Sequence, residues 1–305
     1  MRLPILLFAL ALAALTVRPV DAAEPPIAPA KLFARDNLIA WCIVPFDAQQ
    51  RMPRERAAML RELGFKKFAY DWRAEHVPSF EDEIAAMREA GVEIVGWWFP
   101  PVLNEDARAI LAALERHDVQ TQLWVAIDDP APAGADQRAR IAAAVEQLRP
   151  IVAAAAEQGC AVGLYNHGGW FGEPENQLAI IDALDAPNVG IVYNLHHAHD
   201  HVDRLAKLLP QMLPHLYAIN LNGTDRGGDK HGRKILPLGQ GELDLELLGA
   251  IHNSGYRGPV GIIGHTQDDA AKRLRDNLDG LEWLVEQLEG KNAGPRPTPR
   301  TPVPQ

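Results

Sequence analysis

The stretch Ala161-Val162-Gly163-Leu164-Tyr165-Asn166-His167-Gly168-Gly169-Trp170 begins as an apolar run and ends in polar residues and glycines. This pattern is typical of a buried parallel strand that emerges at a binding site, with its apolar part in the core. Glycines at such a tip allow the backbone to turn or to approach a ligand closely. An ordinary Gly-Gly turn explains a single motif equally well, but the chain repeats the pattern, which favours a binding site.

Eight apolar strand candidates, each followed by a helical segment, occur along the chain. The predicted strands are Leu38–Val44, Lys66–Tyr70, Val92–Trp97, Thr121–Ile127, Ala161–Tyr165, Val189–Tyr193, Leu216–Leu221 and Val260–Ile263. Eight strand–helix units in about 250 residues predict a closed parallel (β/α)8 barrel, the TIM barrel of the α/β class. No glycine-rich phosphate fingerprint follows any strand, which argues against an open doubly wound sheet.

The two ends of the chain are predicted to lie outside this barrel. Residues 1–22 have a positive start, an apolar stretch and a small-residue end, which indicate a signal peptide and a secreted or periplasmic protein. A retained N-terminal anchor is the alternative. Residues 23–35 are predicted to form a linker, residues 36–290 the barrel domain, and residues 291–305 a proline-rich flexible tail.

Composition excludes some partners. The net charge of −10 is spread without acidic blocks, which argues against nucleic acid as a partner. No segment after residue 22 is apolar and long enough to suggest a membrane span once the signal is cleaved. Cys42 and Cys160 both lie in predicted strands, so we expect two buried free thiols. The sequence leaves the oligomeric state open.

Polar and aromatic residues follow the predicted strands where each strand ends, and in such a barrel these carboxyl ends form the face that carries the site. Six of the 11 histidines lie there: His76, His167, His196, His197, His199 and His265. The other candidates at these ends are Asp71, Trp72, Arg73, Glu75, Trp97, Trp98, Tyr165, Asn166, Trp170, Asn194, Asn220 and Asn222. We therefore expect a ligand site at this end of the barrel.

Three stretches resemble the xylose-isomerase-like barrels, the sugar phosphate isomerase/epimerase and endonuclease-IV-like superfamily. They are residues 163–169, residues 187–197, and residues 238–244 together with residues 255–260. With the order of the strands, the resemblance covers roughly residues 36–290. It implies a TIM barrel with isomerase or epimerase activity on a sugar.

The resemblance also implies a divalent metal held by Glu, Asp, His and Glu at the ends of the fifth to eighth strands. This chain departs from that set, because Tyr165, Asn194 and Asn220 stand at the first three places. Gly264 or His265 stands at the fourth. A neutral amide is a weak ligand that cannot offset the charge of a dication, so the metal and its two-carboxylate proton transfer do not carry over.

One hypothesis keeps a metal but changes its type. His167, His197 and His265 would form a nitrogen-rich site for a zinc-like divalent ion. His196 and His197 point to opposite sides if the strand continues, so only one of them is expected to face the barrel axis.

A second hypothesis is metal-free acid–base catalysis on a sugar, carried out by Asp71, Glu75, His76, Tyr165 and His167. A local ion pair between Asp71 and Arg73, and a helix cap at Glu75, are the structural alternatives. A lyase or hydrolase acting on keto-glycosides with histidine as the base is a related possibility.

A third hypothesis is carbohydrate binding without turnover. Trp72, Trp97, Trp98 and Trp170 would offer rings to the apolar faces of a sugar. Arg73, Asn166, Asn194, Asn220 and Asn222 would bind its hydroxyls. The glycine-rich, charged loop of residues 222–241 is expected to be mobile, as a lid or as a loop without a role. Among these hypotheses we expect an exported sugar isomerase or epimerase, with a small-molecule carbohydrate or keto-sugar as its ligand.

Overall fold

The computed structural model describes residues 27–304 and contains a closed barrel of eight parallel strands in sequential order. The strands are β1 Leu38–Trp41, β2 Lys67–Tyr70, β3 Glu93–Phe99, β4 Gln122–Val125, β5 Ala161–Tyr165, β6 Val189–Asn194, β7 Leu216–Leu221 and β8 Val260–Ile263. Pairing of Leu38 with Val260 and of Trp41 with Ile263 closes the barrel between β1 and β8. The predicted (β/α)8 barrel is confirmed.

Helices surround the barrel and agree closely with the expected pattern. They are α1 Pro29–Leu32, α2 Pro53–Leu63, α3 Phe80–Ala90, α4 Glu105–Arg116, α5 Gln137–Glu157, α6 Pro174–Leu184, α7 Leu205–Met212, α8 Asp244–Asn253 and α9 Ala270–Leu288. Local signals define several ends. Asn104 accepts a hydrogen bond from the amide of Ala107 at the start of α4, and Gly64 ends α2 with a φ of 80°. β1 is shorter than predicted, because Cys42 has a φ of 54° and leaves the strand conformation.

Two tryptophans fill the interior of the barrel. The ring centroids of Trp41 and Trp124 lie 4.1 Å apart, and both side chains are almost completely buried. Glycines make room for them, because a Cβ atom at Gly96 or Gly163 would overlap Trp124, and one at Gly261 would overlap Trp41. The large rings of some strands thus lie opposite glycines of other strands. Together they form a solid core beneath the carboxyl-terminal ends of the strands.

The terminal segments differ from the linker and the flexible tail that the sequence suggested. Leu32 and Phe33 are buried against the outer layer of the barrel, so the packed part begins before residue 36. At the other end, both carboxylate oxygens of Asp276 accept hydrogen bonds from the backbone of the tail, at the amides of Arg300 and Thr301. These bonds hold the tail against α9 despite its proline-rich composition. The predicted signal peptide, residues 1–22, lies outside the described residues.

Cys42 and Cys160 are free and buried, as predicted. Within residues 27–304, every helix is too short or too polar to cross a membrane.

Replacing Gly96 by alanine tests the interior packing. We expect Gly96→Ala to lower the free energy of unfolding by about 1–3 kcal/mol, because the added methyl group overlaps the buried Trp124 ring. Gly249→Ala in α8 is the matched control, since its Cβ would lie 3.6 Å from Leu288 Cδ2, an ordinary contact. The control should be neutral or stabilising by about 0.5–1 kcal/mol. Urea unfolding of both variants measures the difference, and equal stabilities would contradict this packing.

Candidate functional site

A hydrogen-bonded network of neutral side chains lies directly above the tryptophan core. The Tyr165 hydroxyl accepts a hydrogen bond of 2.6 Å from Asn194 Nδ2, and Asn194 Oδ1 accepts one of 2.7 Å from Asn220 Nδ2. Asn194 and Asn220 are paired neighbours on β6 and β7, which explains the short contact. Asn166 Oδ1 accepts a hydrogen bond of 2.7 Å from the Asn194 amide. All four side chains are buried.

This network occupies the positions at which the resemblance places metal ligands. Burial raises the pKa of Tyr165 well above its usual value, so the phenol stays protonated. The amide oxygens of Asn166 and Asn194 already accept hydrogen bonds from protein groups. Neutral donors that hold one another, with no carboxylate among them, do not fit a hard divalent cation. That these residues stand in place of the family's charged ligands stays a prediction from the resemblance.

Four histidine rings from three strand ends form a cluster above this network. The ring centroids of His167 and His197 lie 4.4 Å apart, those of His196 and His197 4.0 Å, and those of His196 and His265 5.2 Å. The centroid of Tyr165 lies 5.6 Å from that of His197, so the cluster rests on the network below. We call these four residues the histidine cluster.

The strand continuation on which the expectation for His196 and His197 depended does not occur. β6 ends at Asn194, and Leu195–His197 form a turn of 3-10 helix. The Asn194 side chain accepts a hydrogen bond from the His196 amide and stabilises this turn. Without strand alternation, both rings join the cluster, His196 beside His265 and His197 beside His167.

The expected zinc-type site of His167, His197 and His265 is not tested by their proximity alone. Within residues 27–304, no group of three or more His, Cys, Asp or Glu side chains is arranged to hold a metal ion. The three-histidine metal site stays a prediction.

Burial and mutual repulsion keep the cluster neutral. Burial is the largest cause that lowers the pKa of His197 to about 2 and that of His265 to about 4. The pKa values of His167 and His196 are also lowered, first by burial and then by neighbouring positive or titratable groups. All four rings are therefore unprotonated at neutral pH, and the low pKa values make His197 and His265 weak bases.

Two cations stand beside the cluster. The Arg73 guanidinium lies 5.4 Å from the centroid of Phe46, and Phe46 stacks on His265 with centroids 3.5 Å apart. Lys234 lowers the pKa of all four histidines, which places its ammonium group within electrostatic reach of them. Within the described part of the chain, neither cation forms an ion pair with a carboxylate. Asp128 acts in the opposite direction on His167.

The loop of residues 222–241 is folded rather than mobile. Gly223 and Leu236 exchange two backbone hydrogen bonds at its base, and Arg233 pairs with Asp225 at 2.6 Å. The Lys234 carbonyl accepts a hydrogen bond of 2.9 Å from His199 Nε2. These contacts hold Lys234 beside the cluster.

Asn222 and His199 form hydrogen bonds with the backbone of this loop. Asn222 Nδ2 donates to the carbonyls of Gly223 and Lys234. Asn222 Oδ1 is buried and has no hydrogen-bond partner among residues 27–304, and the part of Asn222 in ligand binding stays a prediction.

Asp71 lies near the barrel interior beside Cys42. Val44 donates a backbone hydrogen bond of 3.3 Å to Asp71 Oδ1, while Asp71 Oδ2 is buried with no partner in the described structure. Burial raises the pKa of Asp71 to about 7, and Arg73 opposes that shift. Asp71 can therefore exchange a proton near neutral pH.

Glu75 and His76 do not join the histidine cluster. Both line a separate cavity between the loops that follow β1 and β2. His76 Nδ1 accepts a hydrogen bond of 2.8 Å from the backbone amide of Arg73. This bond stabilises the turn in which both residues lie. Their predicted partnership with His167 is not supported by this placement.

Of the four candidate tryptophans, only Trp98 faces the barrel interior, with its centroid 5.6 Å from that of Tyr165. Trp97 is fully buried among Tyr70 and Phe80 on the outer side of the sheet, because neighbouring strand residues alternate faces. Trp72 packs edge-on against Phe80, and Trp170 donates a hydrogen bond to Gln137. Trp97 is thus turned away from the barrel interior, whereas the part of the half-buried Trp72 and Trp170 in ligand binding stays a prediction.

Sequence reasoning missed Phe46, Lys234 and Cys42 as parts of this region. Phe46 and Cys42 follow β1, and their position at a strand end was the available signal. Lys234 carried no such signal, because the fold of a long loop brings it to the mouth.

The sequence matches known proteins. Residues 58–287 match the family described as xylose isomerase-like TIM barrel. An uncharacterised protein of Methanocaldococcus jannaschii is 29% identical over 153 residues, a match that covers 47% of this chain and 47% of that protein. The chain thus spans about half the length of this relative.

Solved structures share the fold. The 3-keto-D-glucoside 4-epimerase of E. coli has a TM-score of 0.60 at 20% identity, covering 81% of this chain and 98% of that one. A D-psicose 3-epimerase from Clostridium cellulolyticum H10 has a TM-score of 0.56 at 16% identity, covering 82% and 94%. A probable 3-DHS dehydratase from Bacillus anthracis has a TM-score of 0.62 at 14% identity, covering 83% and 99%.

The neutral state of His197 has a consequence for stability. Its pKa is about 2 in the folded protein against a usual value of 6.5, so unfolding takes up a proton below pH 6.5 and stability falls on acidification. We expect His197→Gln to bind about one proton fewer on unfolding between pH 6 and pH 4. Urea unfolding across this range measures the slope. The raised pKa values of Asp71 and Asp244 change the pH dependence of stability in the opposite direction. Both residues are present in the parent and in the variant, so they do not affect the difference between the two slopes. An unchanged slope would mean that His197 is protonated in the folded state.

Proposed function

Because this chain belongs to the xylose isomerase-like TIM-barrel family, we propose that it isomerises or epimerises a carbohydrate at the carboxyl-terminal mouth of its barrel. The observation that carries the proposal is the histidine cluster, in which neutral bases from the ends of β5, β6 and β8 meet. His196 Nδ1 is buried and has no hydrogen-bond partner among residues 27–304, so it is available to a ligand.

The proposed reaction is proton transfer next to a carbonyl group of a keto-sugar. A neutral imidazole, His167, removes a proton from the carbon beside the carbonyl, and the electron pair of that bond moves through the new carbon–carbon double bond onto the carbonyl oxygen. Return of a proton to the opposite face of the same carbon completes epimerisation. Isomerisation instead adds the proton to the former carbonyl carbon, while the hydroxyl on the first carbon loses its proton to become the new carbonyl and the former carbonyl oxygen gains one.

Charge at the mouth supports this chemistry. The intermediate carries negative charge on oxygen, and Arg73 and Lys234 are the cations placed to stabilise it. The Tyr165 hydroxyl remains protonated beneath the cluster. The similar folds of a 3-keto-D-glucoside epimerase and a D-psicose epimerase make a keto-sugar the natural substrate class to propose.

Export is part of the proposal. Residues 1–22 have the pattern of a signal peptide, so we place the protein in the periplasm or outside the cell. An unphosphorylated sugar is the substrate class that this location favours.

A second candidate is carbohydrate binding without turnover. The neutral network of Tyr165, Asn194 and Asn220 favours it, because the carboxylates that would transfer protons in the related enzymes are absent from these positions. Binding and catalysis differ in whether a carbon-bound hydrogen is exchanged.

Deuterium incorporation separates the two functions. We expect the protein in deuterated water to exchange one carbon-bound hydrogen of a ketohexose or a 3-keto-glucoside, measured by NMR. His167→Ala should slow the exchange by about 100-fold or more, because it removes the proposed base. His231→Ala, which removes an exposed histidine of the loop, should not. Binding of these sugars without exchange would support the non-catalytic function instead.

Chelation tests the role of a metal. We expect exchange to persist after dialysis against EDTA, since the proposed bases are side chains and the family's ligand positions hold a neutral network. Loss of exchange on chelation, with recovery in zinc but not in His265→Ala, would instead establish the three-histidine metal site. Metal analysis of both proteins provides the stoichiometry.

A further inference from the structure

A cavity lies beside the histidine cluster, between the loop after β1 and the Ala74–Ser79 turn after β2. Its volume is about 560 Å³, within the range of about 300–1,000 Å³ that is typical of small-molecule sites. Its walls are formed by Val44, Pro45, Asp47, Ala48, Gln50, Arg51, Met52, Pro53, Arg56, Glu75, His76, Pro78, Ser79, Glu83 and Gln267. The proposed reaction uses none of these residues.

The charges of the cavity wall largely cancel one another. Arg51 binds Asp47 and Asp269, with nitrogen–oxygen distances of 2.8 Å in both pairs. Arg56 and Glu83 form a second ion pair, which is almost completely buried. Only Glu75 remains as an exposed charge on the wall. Such a lining disfavours an anion, because no free positive charge remains on the wall to pair with it.

The buried ion pair leaves two polar atoms without partners. Glu83 Oε1, an acceptor, and Arg56 Nε, a donor, are both buried and form no hydrogen bond within residues 27–304. Both residues line the cavity, and buried polar atoms without partners are unfavourable. A hydroxyl group donates and accepts at once, so a ligand rich in hydroxyls can satisfy such a pair, directly or through one bridging water.

The upper wall is apolar. Pro45, Pro53 and Pro78 line the cavity together with Met52, whose side chain is 63% exposed. An exposed methionine beside three proline rings offers a surface for the C–H face of a sugar ring. The combination of apolar walls and unpaired polar atoms is the kind of surface that carbohydrate recognition requires.

The cavity adjoins the proposed reaction site. Phe46 lies between the cavity residues Pro45 and Asp47, and His265 lies two residues before the cavity residue Gln267. The ring centroids of Phe46 and of His265, a member of the histidine cluster, lie 3.5 Å apart, so Phe46 connects the cavity wall to the cluster. A ligand that spans the pair would place one ring on each side.

We propose that this cavity is a second sugar subsite, which binds the neutral neighbouring unit of a glycoside while the histidine cluster acts on the keto-sugar unit. This inference rests on the proposed function and narrows its substrate class from free monosaccharides to disaccharides and glycosides. The subsite itself contributes binding and orientation, and the reacting atoms stay at the cluster.

Ala48→Trp tests the subsite, because Ala48 is exposed at the cavity wall and a large side chain there fills the space. Ala133→Trp is the matched control, an exposed alanine in the loop between β4 and α5. Thermal unfolding verifies that both variants fold. Affinities for glucose, cellobiose, maltose and a 3-keto-glucoside are measured by calorimetry and ligand-observed NMR on the full chain.

We expect the parent protein to bind at least one of the glycosides about tenfold more tightly than glucose, and Ala48→Trp to abolish that preference. Met52→Ala should reduce the preference in part, and Ala133→Trp should leave it unchanged. Equal affinities for glucose and all the glycosides in the parent, or an undiminished preference in Ala48→Trp, would overturn the subsite. Tighter binding of cellobiuronic acid than of cellobiose would overturn its neutral character.

Deuterium exchange distinguishes a failed subsite from a failed function. A glycoside preference that Ala48→Trp removes, with no exchange in any protein, supports the subsite and contradicts the proposed catalysis. Exchange of a ketohexose without any preference for glycosides supports the proposed catalysis and contradicts the subsite.

Discussion

The stacking of Trp41 on Trp124 inside the barrel is the interaction on which the site depends. Their centroids are 4.1 Å apart, and glycines at positions 96, 163 and 261 allow the sheet to close around them. The rings form a dry floor beneath the carboxyl ends of the strands. Polar groups above this floor lose hydration on one side, which is why burial is the largest cause of the shifted pKa values of Tyr165 and the histidine cluster.

The buried aromatic layer also explains why Tyr165, Asn194 and Asn220 occur together above it. A carboxylate above it would need a cation or several donors, because an unpaired buried charge is strongly unfavourable. Tyr165, Asn194 and Asn220 avoid this cost, since each is neutral and each is hydrogen-bonded to its neighbour. Changing one of them back to a carboxylate would leave a charge facing amides that are already paired. The three replacements are therefore best understood as one coupled change.

Much of the fold could be predicted from the sequence, because apolar runs followed by helical segments repeat eight times and the predicted strands match those observed to within a few residues. The site was predictable only where it follows strand ends, as with His167, Asn194 and His265. Trp97 and Trp98 show where this prediction fails. Adjacent residues of a strand face opposite sides of the sheet, so an error of one position changes which ring faces the barrel interior. Strand alternation does not apply to His196 and His197, because the strand ends at Asn194 and the following turn is stabilised by the Asn194 side chain. Lys234 depends on a long loop whose fold has no local pattern.

The distribution of charge links these features to the chemistry. In a metal-dependent barrel the ion supplies the positive charge that stabilises an enediolate, and carboxylates hold the ion. Here the carboxylates are gone, and positive charge stands at the rim on Arg73 and Lys234, in a chain whose net charge is −10. The same two cations help to keep the imidazoles neutral, since a protonated ring would be repelled by them. Under the proposed function, this arrangement would keep the imidazoles unprotonated before the reaction and would stabilise the anion that forms when a base takes a proton.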